Sequence, residues 1–218
     1  MTYVRLDGSM ADDLSVVNAA RVSFGKRRDE LDDSDIALIN FLMRERHGTP
    51  FEHNAFRFHI KCPIFVAREW FRHRIGSFNE FSARYSEMPE DFWVPELEDI
   101  RSQVGKPGNY TFQRVDEEVA KDALYWMEDA YERAYSAYRV MINNGIAKEV
   151  ARAVLPVGIY TEFYWTVNAR SLMNFLSLRT ASNAQEEIRK YAIEVEKHFE
   201  QTMPVTYEAW NRLGRFSV

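Results

Sequence analysis

Residues 53–74 read HNAFRFHIKCPIFVAREWFRHR, and two periodicities meet inside them. Phe56, Phe58, Ile60 and Cys62 alternate with Arg57, His59 and Lys61. A period of two is the mark of a half-buried strand. Pro63 ends that strand and suits the first turn of a helix, so PIFVAREWFRHR is expected to be helical. On a helix, Glu69, Arg72 and His73 fall at i, i+3 and i+4 and share one face, with Arg74 just beyond.

Upstream, YVRL (3–6) reads as a short strand. MADDLSVVNAARVSF reads as a helix capped by Asp12 or Asp13, with Leu14, Val17 and Ala20 on one side. Residues 24–33 read as a charged loop. DSDIALINFLMRERHG is expected to be a helix with an apolar face of Ile36, Ile39, Phe41 or Leu42, and Met43, stopped by Gly48. Downstream, residues 78–95 read as irregular with extended portions, and residues 101–112, with Gly105, Pro107 and Gly108, as a loop. The longest helix is expected from Gln113 onward, with Val119, Ala123, Met127, Ala130, Ala134, Tyr138 and Met141 as its stripe and Asn143, Asn144 and Gly145 as its stop. AKEVARAVLP is a short helix ended by Pro156, and IYTEFYWTVNA (159–169) is rich in β-branched and aromatic residues and reads as a strand. Three helices follow, RSLMNFLSLRT, NAQEEIRKYAIEVEKHFEQTM and TYEAWNRLG. Strands grouped around 53–95 and 159–167 among many helices give an α+β class.

The chain has 218 residues, 46% hydrophobic, with only nine Gly and seven Pro. That suits a single domain over 1–218 with its own core. No apolar run reaches membrane-spanning length, and the N-terminal stretch lacks the pattern of a secretory signal. The single cysteine, Cys62, excludes an internal disulfide and fits the cytoplasm. It lies on the apolar phase of its strand, where a buried, inert thiol is expected. No metal site is expected: one cysteine cannot build a Cys₂ or Cys₄ zinc site, HExxH is absent, and His47, His53 and His59 match no zinc spacing. A formal charge of −5 argues against a general nucleic-acid binder, and leaves room for a local basic pocket for a small phosphorylated molecule.

RHRIGSFNEFSARY (72–85) supplies such a pocket. It holds three arginines, a histidine, a glutamate, an asparagine and two serines in fourteen residues. Guanidinium groups are planar and permanently charged, which suits phosphate, and the uncharged donors suit a base and a sugar. The alternative is a helix end with solvated charges. Arg170 and Asn174 share a face one turn apart, and Arg179 ends that helix. Taken alone, this second cluster reads as the polar side of an amphipathic helix over Leu172, Phe175 and Leu176. Neither a GxGxxG nor a GxxxxGK[ST] sequence is present, so a dinucleotide here would not use a Rossmann fingerprint.

The fourteen residues are similar to the signature RHRxxSxNExSxRY of the flavin-dependent thymidylate synthases. Arg72, His73, Arg74, Ser77, Asn79, Glu80, Ser82, Arg84 and Tyr85 meet every fixed position. The likeness extends through TPFEH (49–53), EVARAVLP and WTVNARSLMNFLSLR, roughly residues 10–210. It implies an α+β fold with a small, mainly antiparallel sheet and long flanking helices, in a homotetramer whose sites are shared between subunits. It implies methylation of dUMP to dTMP, with the carbon from 5,10-methylenetetrahydrofolate and the hydride from NADPH through FAD. By the same resemblance, His47, Thr49, Arg72, His73, Arg74, Glu80, Asn168, Arg170 and Asn174 meet the flavin. Glu69, Arg72, Glu80, Phe81, Ser82, Ala83, Arg84, Arg152 and Arg179 meet the nucleotide. Arg179 is the activating residue, acting at N3 of the uracil, so no cysteine nucleophile is needed. Ser82 lacks an evident base and reads as a positioning group. Glu69 stands where many members carry Gln, and Asn183 where many carry His. Two other readings remain: a nucleotide binder without turnover, and an interaction protein assembling through its aromatic helix 113–144.

Overall fold

The computed structural model describes residues 2–106 and 109–215. In chain order these form β1 (Tyr3–Met10), α1 (Asp13–Arg21), α2 (Asp33–Arg44), β2 (Ala55–Pro63), α3 (Ile64–Trp70), β3 (Ser77–Glu80), β4 (Arg101–Lys106), β5 (Asn109–Arg114), α4 (Glu117–Asn143), α5 (Lys148–Ala151), β6 (Tyr160–Asn168), α6 (Ala169–Arg179), α7 (Glu186–Thr202) and α8 (Pro204–Leu213). Contacts group the chain into one unit of Met1–Lys61, Arg68–Glu80 and Glu162–Val218, and a second of Cys62–Ala67 and Phe81–Thr161.

The first unit is built on a four-stranded sheet in the order β1-β2-β6-β3. β1 runs antiparallel to β2, from Tyr3 opposite Lys61 to Met10 opposite Ala55, with a register shift between Leu6 and Gly8. β3 runs antiparallel to β6, with Ser77 opposite Thr166 and Glu80 opposite Phe163. The alternation expected for β2 holds: Phe56, Phe58, Ile60 and Cys62 are buried. β6 does the same with Phe163, Trp165 and Val167. These rings pack against the apolar faces of α6 and α7. Trp70 stacks on Phe175 at 4.8 Å, and Phe56 meets Phe199 edge-on at 6.0 Å. Each such fully buried ring contributes about 1.5–3 kcal/mol relative to exposure.

Two buried aspartates fix helix starts. Asp35 serves in the capping box of α2, where Asp32 accepts from the Asp35 amide and the Asp35 carboxylate accepts from the Asp32 amide. Arg21 pairs with Asp35 and offsets its burial. Asp13 accepts from the amides of Val205 (3.0 Å) and Thr206 (2.8 Å), satisfying orphan donors at the start of α8, where Pro204 takes the first position. Asp12 is the cap of α1.

Four expectations are corrected in the first unit. β1 extends to Met10 rather than ending at residue 6. In α2 the buried face is Ile39, Leu42 and Met43, while Ile36 and Phe41 are exposed. Gly48 does not stop α2. The stop comes earlier, at Glu45, with Arg46 in the left-handed region at φ 58. The amides of Arg46 and His47 donate back to the carbonyls of Met43 and Leu42, a Schellman closure with arginine where glycine is usual. A side chain in that conformation costs roughly 1–2 kcal/mol. Finally, α3 ends at Trp70. Arg72 and His73 lie in a turn closed by amide bonds back to Glu69 and Trp70. The chain must become extended within a few residues to enter β3. Gly76 lets it do so against Trp165, where a Cβ would sit 2.8 Å from the indole nitrogen.

In the second unit, Met88, Tyr138, Ala151 and Ile159 form a core cluster. The Tyr138 hydroxyl accepts from the Met88 amide at 3.0 Å. Gly158 permits a close approach, because a Cβ there would lie 2.1 Å from the Tyr131 hydroxyl. The expected loop at 101–112 is instead a hairpin of β4 and β5, with Arg101 opposite Arg114. Its alternating Val104, Tyr110 and Phe112 are consistent with strands, and Gly105 adopts φ 111. Pro107 and Gly108 lie outside the described residues. α4 buries only Ala120 and Tyr138 completely; Val119, expected in its stripe, is 54% exposed.

Candidate functional site

Within the first unit, Glu69 ends its approach on α3 beside Arg179, the last residue of α6. The Arg179 guanidinium pairs with the Glu69 carboxylate through Nη1 and donates from Nε to His73 Nε2 at 2.8 Å. His73 must therefore present a lone pair at Nε2 and carry its proton on Nδ1. Burial, with the Arg179 charge second, pushes the His73 pKa down from 6.5 to about 4. The neutral ring sits edge-on to Phe175 at 4.9 Å. Glu69 and His73 thus hold two faces of one guanidinium and leave its Nη2 edge without a protein partner among the described residues.

His73 and Arg179 line a cavity of about 720 Å³, together with Glu52, Arg72, Arg74, Ile75, Trp165, Asn168, Arg170, Ser171, Asn174 and Leu178. Arg72 and Arg74 are exposed. Neither has an ion-pair partner among the described residues, so their charge is uncommitted. Asn168 caps α6, its side-chain oxygen accepting from the Ser171 amide at 2.8 Å. That leaves the Asn168 amide nitrogen as a donor. Arg170 pairs with Glu52. Gly48 makes space for it, since a Cβ there would lie 2.6 Å from its Nε. A second cavity of about 270 Å³ shares Arg170 and Asn174 with the first and is lined by Arg46, His47, Trp210 and apolar side chains of α2 and α6.

The structure therefore brings together nine of the sequence-derived candidates around two adjoining cavities: Arg72, His73, Arg74, Asn168, Arg170, Asn174 and Arg179, with Glu69 behind Arg179 and His47 in the smaller one. Thr49 starts a neighbouring 3-10 turn and lines neither cavity. Glu80 ends β3, exposed, opposite Phe163. Phe81, Ser82, Ala83, Arg84 and Arg152 belong to the second unit. There the Ser82 carbonyl accepts from the amides of Tyr85 and Ser86 in a tight turn. Arg84 pairs with Glu149 at 3.1 Å, and the exposed Arg152 follows Glu149 by three residues. Sequence reasoning did not find Glu52, Trp165, Arg46 or Trp210. Glu52 and Arg46 adjoin residues it did name; Trp210 had no local signal.

The depressed value for His73 has a measurable consequence. In the unfolded chain a histidine takes up its proton near pH 6.5, whereas in the fold it does so only near pH 4. Between those values the unfolded state binds more protons, so stability is full above the window and falls as pH drops through it. The urea midpoint of the wild type is expected to fall from pH 6.5 to pH 5. His73→Asn should flatten that slope; an unchanged slope would remove His73 as its source.

A small sheet flanked by helices, with uncommitted arginines and amide donors gathered at one cavity, is an arrangement whose chemistry suits an anionic ligand. Comparisons narrow that reading. The family model described as thymidylate synthase complementing protein matches residues 5–205. A protein of Thermosipho africanus named flavin-dependent thymidylate synthase is 48% identical over 208 residues, 95% of this chain and 90% of its own. One of the same name from Streptomyces coelicolor is 45% identical over 225 residues, covering 97% and 92%. The crystal structure of a UMP/dUMP methylase, PolB, from Streptomyces cacaoi bound with 5-Br dUMP superposes with a TM-score of 0.91 at 43% identity, over 100% of this chain and 98% of that one. The chain belongs to the thymidylate synthase complementing protein family.

Proposed function

We propose that the protein is a flavin-dependent thymidylate synthase, converting dUMP to dTMP with 5,10-methylenetetrahydrofolate as carbon donor and NADPH as reductant. The observation that carries this reading is the Glu69–Arg179–His73 cluster at the wall of a cavity with two uncommitted arginines. The names of its relatives and the ligand of the PolB structure agree with it.

The donor set fits FAD. Arg72, Arg74 and Arg170 offer charge for a pyrophosphate, while Asn168 and Asn174 offer amide donors for ring edges. A bound flavin would supply hydride transfer, replenished from NADPH. Arg84 and Arg152 are assigned to the nucleotide phosphate and Phe81, Ser82 and Ala83 to its sugar and base; Glu69, Arg72 and Glu80 are likewise assigned to the nucleotide. Thr49 and His47 are assigned to the flavin. Arg179 is assigned to the pyrimidine edge. Its guanidinium stays charged throughout, so it cannot take the N3 proton. With the N3 proton passing to water, it stabilises the N3-ionised base electrostatically and so moves electron density toward C5. Neutral His73 matters here, because a second cation at that spot would push Arg179 away.

Residues 1–218 are taken to act as one catalytic domain, in a homotetramer with shared sites. The exposed pair Tyr125 and Trp126 on α4, 61% and 64% exposed, supports burial of that helix between subunits. Among the described residues no helix is long and apolar enough to cross a membrane.

Cys62 is fully buried on β2 and so is out of reach as a nucleophile. Cys62→Ala is expected to keep activity within a few-fold of wild type, by steady-state dTMP formation. A folded, flavin-loaded but inactive Cys62→Ala would bring back a cysteine mechanism. The reading as a whole is tested by the absorbance spectrum of the purified protein and its anaerobic bleaching by NADPH. A colourless protein that binds no added FAD would defeat it.

A further inference from the structure

The smaller cavity carries a feature that the assigned roles leave unused. Arg46 is the one non-glycine residue with positive φ among the described residues, and it lines this cavity. Glycine would adopt that backbone without strain, and strained residues persist where a side chain is needed. The Arg46 side chain is exposed and has no hydrogen-bond or ion-pair partner among the described residues. No Asp or Glu lines the cavity, and its walls include Phe51, Met173 and the buried Trp210. Aromatic and thioether walls suit a flat ring, and a single uncommitted guanidinium suits a carboxylate or phosphate on it. Because Arg170 and Asn174 also line the larger cavity, a ligand here would lie beside whatever that cavity holds.

We propose that this cavity is a subsite adjoining the flavin's, for an aromatic ring bearing a carboxylate or phosphate, with Arg46 as its anion contact. Its assignment to a co-substrate rests on the proposed function. Two co-substrate ends share the chemistry: the aminobenzoyl-glutamate end of the one-carbon donor and the phosphorylated adenosine end of NADPH.

The test needs no turnover. Flavin-loaded protein is titrated by calorimetry with p-aminobenzoylglutamate and, separately, with adenosine 2′,5′-bisphosphate. Wild type is compared with Arg46→Gln, which keeps a side chain on the strained backbone and removes the charge. Arg46→Gly, which relieves the strain, is measured alongside. One probe is expected to bind wild type, and its identity names the source. Arg46→Gln and Arg46→Gly should each weaken it about tenfold, the loss of one charge-assisted hydrogen bond. Arg46→Gly should also raise the thermal midpoint, by roughly 2–4 °C. Failure of both probes to bind at millimolar concentration, or equal binding by wild type and Arg46→Gln, overturns the subsite. If wild type makes no dTMP yet binds a probe through Arg46, the subsite stands and the proposed function falls. If it makes dTMP with Arg46 playing no part in probe binding, the reverse holds.

Discussion

Arg179→Ala is expected to lower dTMP formation by about 10²–10³-fold or more, while flavin stays bound. The magnitude is that of removing one preorganised charge from a developing anion, about 2.7–4 kcal/mol of barrier. The geometry makes the loss specific. Arg179 is held by Glu69 and by the neutral His73, so alanine removes a group already placed rather than one that must find its position. Flavin retention is expected because Arg72, Arg74, Asn168, Arg170 and Asn174 remain around the cavity. Arg179→Lys should recover little, since an ammonium cannot satisfy two partners and a ligand in one plane. Wild-type turnover in Arg179→Ala would remove it from the chemistry, and simultaneous loss of flavin would make it a cofactor contact instead.

The largest effect on stability is expected for Trp70→Ala, a loss of about 3–5 kcal/mol from deletion of a buried ring and the cavity it leaves. Trp70 is fully buried, stacked on Phe175 and edge-on to Phe163 and Trp165 at 5.6 and 5.4 Å. It ties α3 to α6, the two helices that bring Glu69 to Arg179, so activity should fall with stability. Its indole nitrogen is buried without a hydrogen-bond partner among the described residues. Trp70→Phe discards that orphaned donor and keeps most of the ring, and should cost well under half as much. Chemical denaturation of the two variants separates the contributions. Equal losses for Phe and Ala would mean that the ring contacts carry little of the stability.

Strands β2 and β6 were legible because a half-buried strand writes its burial as a period of two, and Phe56 through Cys62 and Phe163 through Val167 follow it. The stripe of α6 was legible for the same reason at helical period. Helix ends were less so. Gly48 attracts a helix stop by propensity, yet the closure fell at Arg46, where tertiary placement outweighs the local cost. The 101–112 hairpin was missed because Gly105, Pro107 and Gly108 mark a turn without saying that strands flank it. In the site, Arg72–Arg74 and Arg179 were named through the motif, but periodicity alone favoured a solvated face for α6. Only the sheet order, which sets β3 beside β6, shows why His73 and Arg179 meet. Trp210 joins the smaller cavity through packing of α8 on α2, which no local pattern encodes.

The most direct measurement is mass-spectrometric detection of dTMP after incubating the flavin-loaded protein with dUMP, 5,10-methylenetetrahydrofolate and NADPH, omitting each in turn. The account predicts dTMP in the complete mixture and none when any one is left out. Flavin-loaded protein that binds dUMP and yields no dTMP in the complete mixture would contradict it and leave a nucleotide binder without turnover.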